Sequence, residues 1–161
     1  HPPVDRRPAA RPRIMKKIVL PALLGMLLLL SSAPVFGHCE IPCGIYDDPL
    51  RIQLLREHIT TIEKSMTTIQ ALEKSVSHHA HQIIRWVTNK EDHANQFQEI
   101  VSQYFMTQRV TPESKDYAKQ IQALHEMLIY AMKCKQTTDL AHVEKLKTLV
   151  TDFEKLYFAK E

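Results

Sequence analysis

From residue 50 to residue 157 the apolar side chains return in steps of three and four, the spacing that lines up one face of an α-helix. Ile52, Leu55, Ile59, Ile62, Met66 and Ile69 form the first stripe. Ile83, Val87, Ala94, Phe97, Val101 and Tyr104 form the second, Tyr117, Ile121, Leu124, Leu128 and Ala131 the third, and Leu140, Val143, Leu146, Val150, Phe153 and Tyr157 the fourth. Polar residues fill the opposite faces, so each helix buries one side only. Asp48-Pro49 and Thr111-Pro112-Glu113 carry start signals: an oxygen-bearing cap, proline in the first turn and an early acid. Thr137-Thr138-Asp139 supplies a cap for the fourth stripe. No Gly or Pro separates the first two, and the break is expected near Ser75 to His79. These signals predict helices over about 49–74, 80–107, 112–134 and 138–158. Such helices with short connections pack most economically as an antiparallel four-helix bundle, an all-α fold. A second apolar edge with Leu54, Ile84, Ile100 and Leu149 leaves room for subunit contacts.

Composition agrees with an all-α domain. Of three glycines in 161 residues, Gly25 and Gly37 precede the helical region and only Gly44 lies beyond residue 37; a β-rich fold needs more turns. The net charge of +3 conceals a split, because residues 1–37 carry six Lys/Arg and one Asp, leaving residues 38–161 at −2. That balance excludes a strongly basic nucleic-acid binder. It also gives small anions no global attraction, so any steering of them must be local; Arg51 and Lys64 are the candidates.

The basic residues of the first segment belong to a leader. Met15-Lys16-Lys17 precedes an apolar run from Ile18 to Leu30, followed by small residues up to Gly37, the layout of a secretory signal peptide. The run's 13 residues rise roughly 20 Å as a helix, short of a hydrocarbon core about 30 Å thick. Residues 1–14 read as an upstream extension. Residues 1–37 are therefore expected to be removed by signal peptidase or a maturation protease, leaving His38 as the new N-terminus of an exported protein (periplasmic or extracellular) with no membrane segment in its mature form. The alternative is a cytoplasmic protein whose leader a dedicated protease removes.

The chemistry concentrates in His38-Cys39-Glu40-Ile41-Pro42-Cys43-Gly44-Ile45-Tyr46-Asp47. A free α-amine and imidazole at His38, the amide nitrogen and thiolate of Cys39 and the thiolate of Cys43 make a compact donor set. Pro42 restricts the backbone and Gly44 frees it, as a tight loop requires. Amine, amidate and two thiolates in a plane suit square-planar nickel or copper better than tetrahedral zinc. Anionic donors stabilise the higher oxidation state, and an axial imidazole would fit a one-electron shuttle. A plain Cys39–Cys43 disulfide is the bland reading of the same cysteines.

The motif His38-Cys39-x-x-Pro42-Cys43-Gly44-x-Tyr46-Asp47 resembles the metal-binding hook of the nickel superoxide dismutase family, and the likeness continues into the helical sequence. Glu40 departs from the aspartate common there. The resemblance implies an N-terminal hook (38–47) on a four-helix bundle, a homohexamer, one nickel ion per chain held by His38, Cys39 and Cys43, and conversion of superoxide to oxygen and hydrogen peroxide by nickel(II)/nickel(III) cycling. It implies that Tyr46 and Tyr104 gate small anions beside the nickel. Gln53, Glu57 and Asn89 stand near the positions of the groups that orient the axial imidazole. The competing function is a non-catalytic exported metal-binding or metal-delivery protein using the same ligands.

Elsewhere the chemistry is sparse. No phosphate loop, nucleophile elbow or paired zinc motif is present. Cys134 reads as a structural thiol, His78, His79 and His81 as a solvated helix end, and His58, His93, His125 and His142 as isolated surface or interface residues. Trp86, Phe97, Phe105 and Phe153 read as core or subunit contacts.

Overall fold

A computed structural model describes residues 41–159. The expected leader, residues 1–37, lies outside them, as do His38 and Cys39. The described chain is helical, with no strand: α1 (Asp48–Leu72), a 3-10 turn (Glu73–Ser75), α2 (Val76–Glu99), a π-helical segment (Ile100–Arg109), α3 (Tyr117–Gln136) and α4 (Leu140–Tyr157). Helix α1 packs on α2 and α4, and α3 on α2 and α4.

Asp47, and not the expected Asp48, caps α1, its carboxylate accepting the Leu50 N–H at 3.0 Å. All six residues of the first stripe are buried at 2 % exposure or less. The chain then reverses through the 3-10 turn. Ser65 accepts the Asn89 amide at 3.0 Å and His58 meets His93, so α2 runs back along α1. The second helix starts at Val76, before the expected 80, because three residues suffice for the tightened turn.

The end of that helix differs more. Instead of finishing as an ordinary α-helix near 107, the chain widens into a π segment running to Arg109. Val110 N–H donates to the Phe105 carbonyl at 2.8 Å. The Thr107 hydroxyl donates to the Ser102 carbonyl at 2.7 Å, and the Gln108 amide to the Gln103 carbonyl at 2.9 Å. All three bonds span five residues.

The third helix begins at Tyr117, not at 112. Thr111 does not cap it: its N–H donates to the Ser114 hydroxyl at 2.9 Å, and Ser114 N–H donates to the Thr111 carbonyl at 2.8 Å. The Thr-Pro-Glu-Ser sequence closes as a turn, and Asp116 at φ +54° interrupts helical geometry before α3 starts. Asp139 caps α4, accepting Ala141 N–H at 3.0 Å.

The core joins the stripes around Phe97, Phe105 and Phe153, all fully buried. Phe105 meets Phe153 edge to face, with centroids 5.0 Å apart, a favoured aromatic geometry. Leu149, assigned above to an outer edge, is buried in this core, whereas Ile84 is 63 % exposed. Leu149 lies one position from Val150, and the apolar arc of a core helix is wide enough to hold both.

One buried charge supports the α3 terminus. Lys90, 3 % exposed, donates to the carbonyls of Lys135 at 2.6 Å and Thr137 at 3.1 Å, where the helix dipole is negative. Burial lowers its pKa, and the nearby Glu91 and Cys134 oppose that shift. Lys90→Met should destabilise the protein by about 2 kcal/mol, because it leaves those carbonyls without their charged donor. Urea denaturation checks this; an unchanged free energy of unfolding would mean that the ammonium contributes nothing net.

Candidate metal centre

Residues 41–44 form a turn in which Ile45 N–H donates to the Pro42 carbonyl at 2.7 Å. The Ile41–Pro42 peptide is cis, and Gly44 has φ +81°. A Cβ at Gly44 would meet nothing within 4 Å, so the requirement for glycine is conformational, not steric. The turn presents Cys43 to solvent. It sits between the Asp47 cap of α1 and the π segment, whose Gln108 amide donates to the Ile41 carbonyl at 3.4 Å.

Behind the turn, one carboxylate gathers three elements. Asp48 Oδ1 accepts from the Tyr104 hydroxyl at 2.6 Å and from Arg109 Nε at 2.8 Å. Its Oδ2 accepts from Arg109 Nη2 at 2.7 Å and from the Tyr157 hydroxyl at 2.8 Å. Burial works against ionisation of Asp48, but the bonds from Arg109, Tyr104 and Tyr157 outweigh it and hold the carboxyl below its ordinary value. The two phenols move the other way: burial and the bond to Asp48 push both Tyr104 and Tyr157 up to about 12. Tyr104 thus keeps its proton at neutral pH. The π segment makes the convergence possible, since residues five apart on an α-helix point about 140° apart, whereas i→i+5 bonding turns Tyr104 and Arg109 toward the same partner.

The hook tyrosine joins this network from outside. Tyr46 meets Tyr104 edge to face, with centroids 5.8 Å apart, and the Arg109 guanidinium lies 4.2 Å from the Tyr46 ring centre. Arg51 lies over the other tyrosine, 5.0 Å from the Tyr104 centroid, with its Nε buried and without a hydrogen-bond partner. Asp48, Arg109 and Tyr157 had no signal in the sequence as site residues, being separated by tens of residues and individually unremarked.

A cleft of about 460 Å³ opens beside the turn between α1 and α2. Ile41 and Pro42 form one wall, and Arg51, Glu57, His58, His93, Glu99 and Tyr104 contribute the charged and titratable groups. Of the two steering candidates, Arg51 therefore lies at the hook; Lys64 lies elsewhere, 6.0 Å from the Trp86 ring centre. Of the three residues expected near the axial imidazole, Glu57 lines the cleft, Asn89 donates to Ser65 and Gln53 is exposed.

Of the expectation that His58 and His93 are isolated surface or interface residues, the isolation is overturned. His58 is 8 % exposed, and its Nδ1 lies 2.9 Å from His93 Nδ1. Opposed helix directions bring them together, which single-helix periodicity does not reveal. Cys134 is fully buried, and burial pushes its thiol up to about 11, the condition of an inert structural cysteine. His78 is exposed beside the Ser75 and Ser77 hydroxyls.

Among the described residues no three His, Cys, Asp or Glu side chains gather as a metal cage. Cys43 is the described member of the expected ligand set. An exposed cysteine on a tight turn fits the chemistry of a soft-ligand ion such as nickel.

The described residues form an all-helical domain with a cysteine exposed on a tight turn and a tyrosine pair at the turn's helical end. The family model for nickel-containing superoxide dismutase matches residues 33–161, and the chain belongs to that family. It is a superoxide dismutase, an oxidoreductase with a nickel cofactor. Comparisons with curated proteins and with solved structures give no match. Among the described residues no helix is long and apolar enough to cross a membrane.

Proposed function

We propose that this chain disproportionates superoxide at one nickel ion per chain, held by the α-amine and imidazole of His38, the amide nitrogen and thiolate of Cys39 and the thiolate of Cys43. Removal of residues 1–37 uncovers the amine, and the mature protein is exported. Its helices form an antiparallel four-helix bundle carrying the hook (38–47), assembled as a homohexamer. The observation that carries the reading is the family match across residues 33–161, joined to a turn that exposes Cys43 three residues before Tyr46, whose ring meets Tyr104.

Bound nickel supplies the one-electron couple, nickel(II)/nickel(III), that thiolate and amidate donors bring into range. The remaining work falls to the chain. Arg51 attracts the anion into the cleft, where low-dielectric walls strengthen its field. Tyr46 and Tyr104 restrict access to small anions. Asp48 and Arg109 hold Tyr104 and Tyr46 in place, so the gate keeps its width while Tyr104 keeps its proton.

Protein beginning at His38 should bind one nickel ion per chain and dismutate superoxide well above the rate of the same concentration of free metal ion. Metal analysis with a direct superoxide decay assay tests this. Stoichiometric nickel without dismutation would refute the enzymatic reading and favour metal storage or delivery.

A further inference from the structure

His58 and His93 face each other through their Nδ1 atoms at 2.9 Å, across two helices and in the wall of the cleft that Ile41 and Pro42 border. At that separation one Nδ1 donates and the other accepts. A second proton between the rings would set two N–H groups against each other and break the contact. The pair therefore exists as a neutral unit or as a cation with one added proton, never as a bonded dication. Burial lowers the pKa of His58 first, and the His93 charge lowers it further, while Glu57 opposes both. A proton on His58 is accordingly given up more readily than one on a free imidazole.

Dismutation consumes protons. Two superoxide anions and two protons become one oxygen and one hydrogen peroxide; one anion gives up an electron and the other takes that electron with both protons. Tyr104 is a poor source, since its hydroxyl is bound to Asp48 and its pKa is raised to about 12. Among the described residues, the charged and titratable groups lining the cleft around the pair are Arg51 and Glu57 from α1, Glu99 from α2 and Tyr104 from the π segment, and the hook contributes Ile41 and Pro42. The cleft has room for on the order of ten waters, enough for a hydrogen-bonded chain from the rings to the turn.

Building on the superoxide dismutase reading, we propose that the His58–His93 pair is a one-proton relay for the hook. It delivers one of the two protons, through cleft water, to the anion being reduced, and takes a replacement from bulk solvent. The two histidines are positioning and proton-supplying groups; they need not touch the substrate.

His58→Gln and His93→Gln test the relay, since each amide can still bond the remaining ring. Both variants should bind nickel in the wild-type ratio and lose on the order of 100-fold in turnover above pH 8, with a smaller loss at pH 6. A hindered, non-coordinating proton donor such as 2,6-lutidine should restore the variants in proportion to its concentration and leave the wild type unmoved. In ¹⁵N imidazole spectra of the reduced nickel-loaded wild type, the two rings should take up a single proton in one coupled step. Independent titration of the rings, or variants with wild-type pH profiles, or a loss that the buffer does not restore, would overturn the relay alone. A nickel-loaded wild type without dismutase activity would overturn the enzymatic reading and the relay together.

Discussion

Protein bearing one extra residue before His38 should bind nickel far more weakly than the mature form and show no dismutation beyond that of free metal ions. The extra residue converts the terminal amine, a neutral donor, into an amide that must lose a proton before it can bind. Cys39→Ser and Cys43→Ser should have the same outcome, because a serine hydroxyl is not an anionic soft donor near neutral pH. Removing a group that merely orients a ligand lowers metal affinity roughly 10–100-fold, so the loss of a ligand should exceed that range. Cys134→Ser provides the contrast: its thiol is fully buried and pushed up to about 11 by burial, so nickel content should not change. Metal analysis after gel filtration reads all four proteins. Full nickel occupancy in the extended protein would remove the terminal amine from the ligand set, and nickel loss confined to Cys134→Ser would move the site to the helices.

Asp48→Asn should produce the largest loss of stability of any single change near the hook. The carboxylate accepts four hydrogen bonds, two of them from Arg109, and its side chain is 15 % exposed. The amide retains one acceptor oxygen and turns an NH₂ group toward donors, leaving a partly buried guanidinium without its counter-charge. The expected loss is about 3 kcal/mol, corresponding to a fall in midpoint temperature of roughly 10 °C. The folded carboxyl has the lower pKa, so the native state binds fewer protons than the unfolded chain as acid is added. Wild-type stability is then complete above the unfolded carboxylate pKa of about 3.9 and is lost as pH falls through the lower folded value. The variant should lack that step. Denaturation between pH 2 and pH 7 measures both effects, and a variant within about 0.5 kcal/mol of wild type throughout would show that the network is not a support of the fold.

The two predictions probe parts of the site that differ in how legible they were. The hook's proposed donors lie within six residues, so the order of residues alone suggests His38, Cys39 and Cys43 as ligands of one ion, and Pro42 and Gly44 announce the turn. Tyr46 and Tyr104 are 58 positions apart, and only the docking of the turn against the π segment sets their rings edge to face. Asp48 reads locally as the cap that opens the first helix, whereas Asp47 caps it and Asp48 stands in the first turn. Its partners lie 56, 61 and 109 residues away, beyond any local pattern.

The helices divide in the same way. The first stripe is wholly buried, and Asp47 and Asp139 cap as their side-chain chemistry requires, because amphipathic periodicity and capping are properties of a few adjacent turns. The Thr111 to Asp116 segment misleads for the converse reason: its hydroxyls have two local uses, a cap or a turn, and the turn forms. The amino-acid order by itself determined the all-helical class and most of the core stripes, with Val87 and Tyr117 exposed against expectation, since each depends on residues within a turn or two of one another. Tertiary structure decided the π segment's convergence on Asp48, the burial of Leu149 and Lys90, and the meeting of His58 with His93. These depend on how far one helix slides and rotates against another, a register that the packing of the whole core selects.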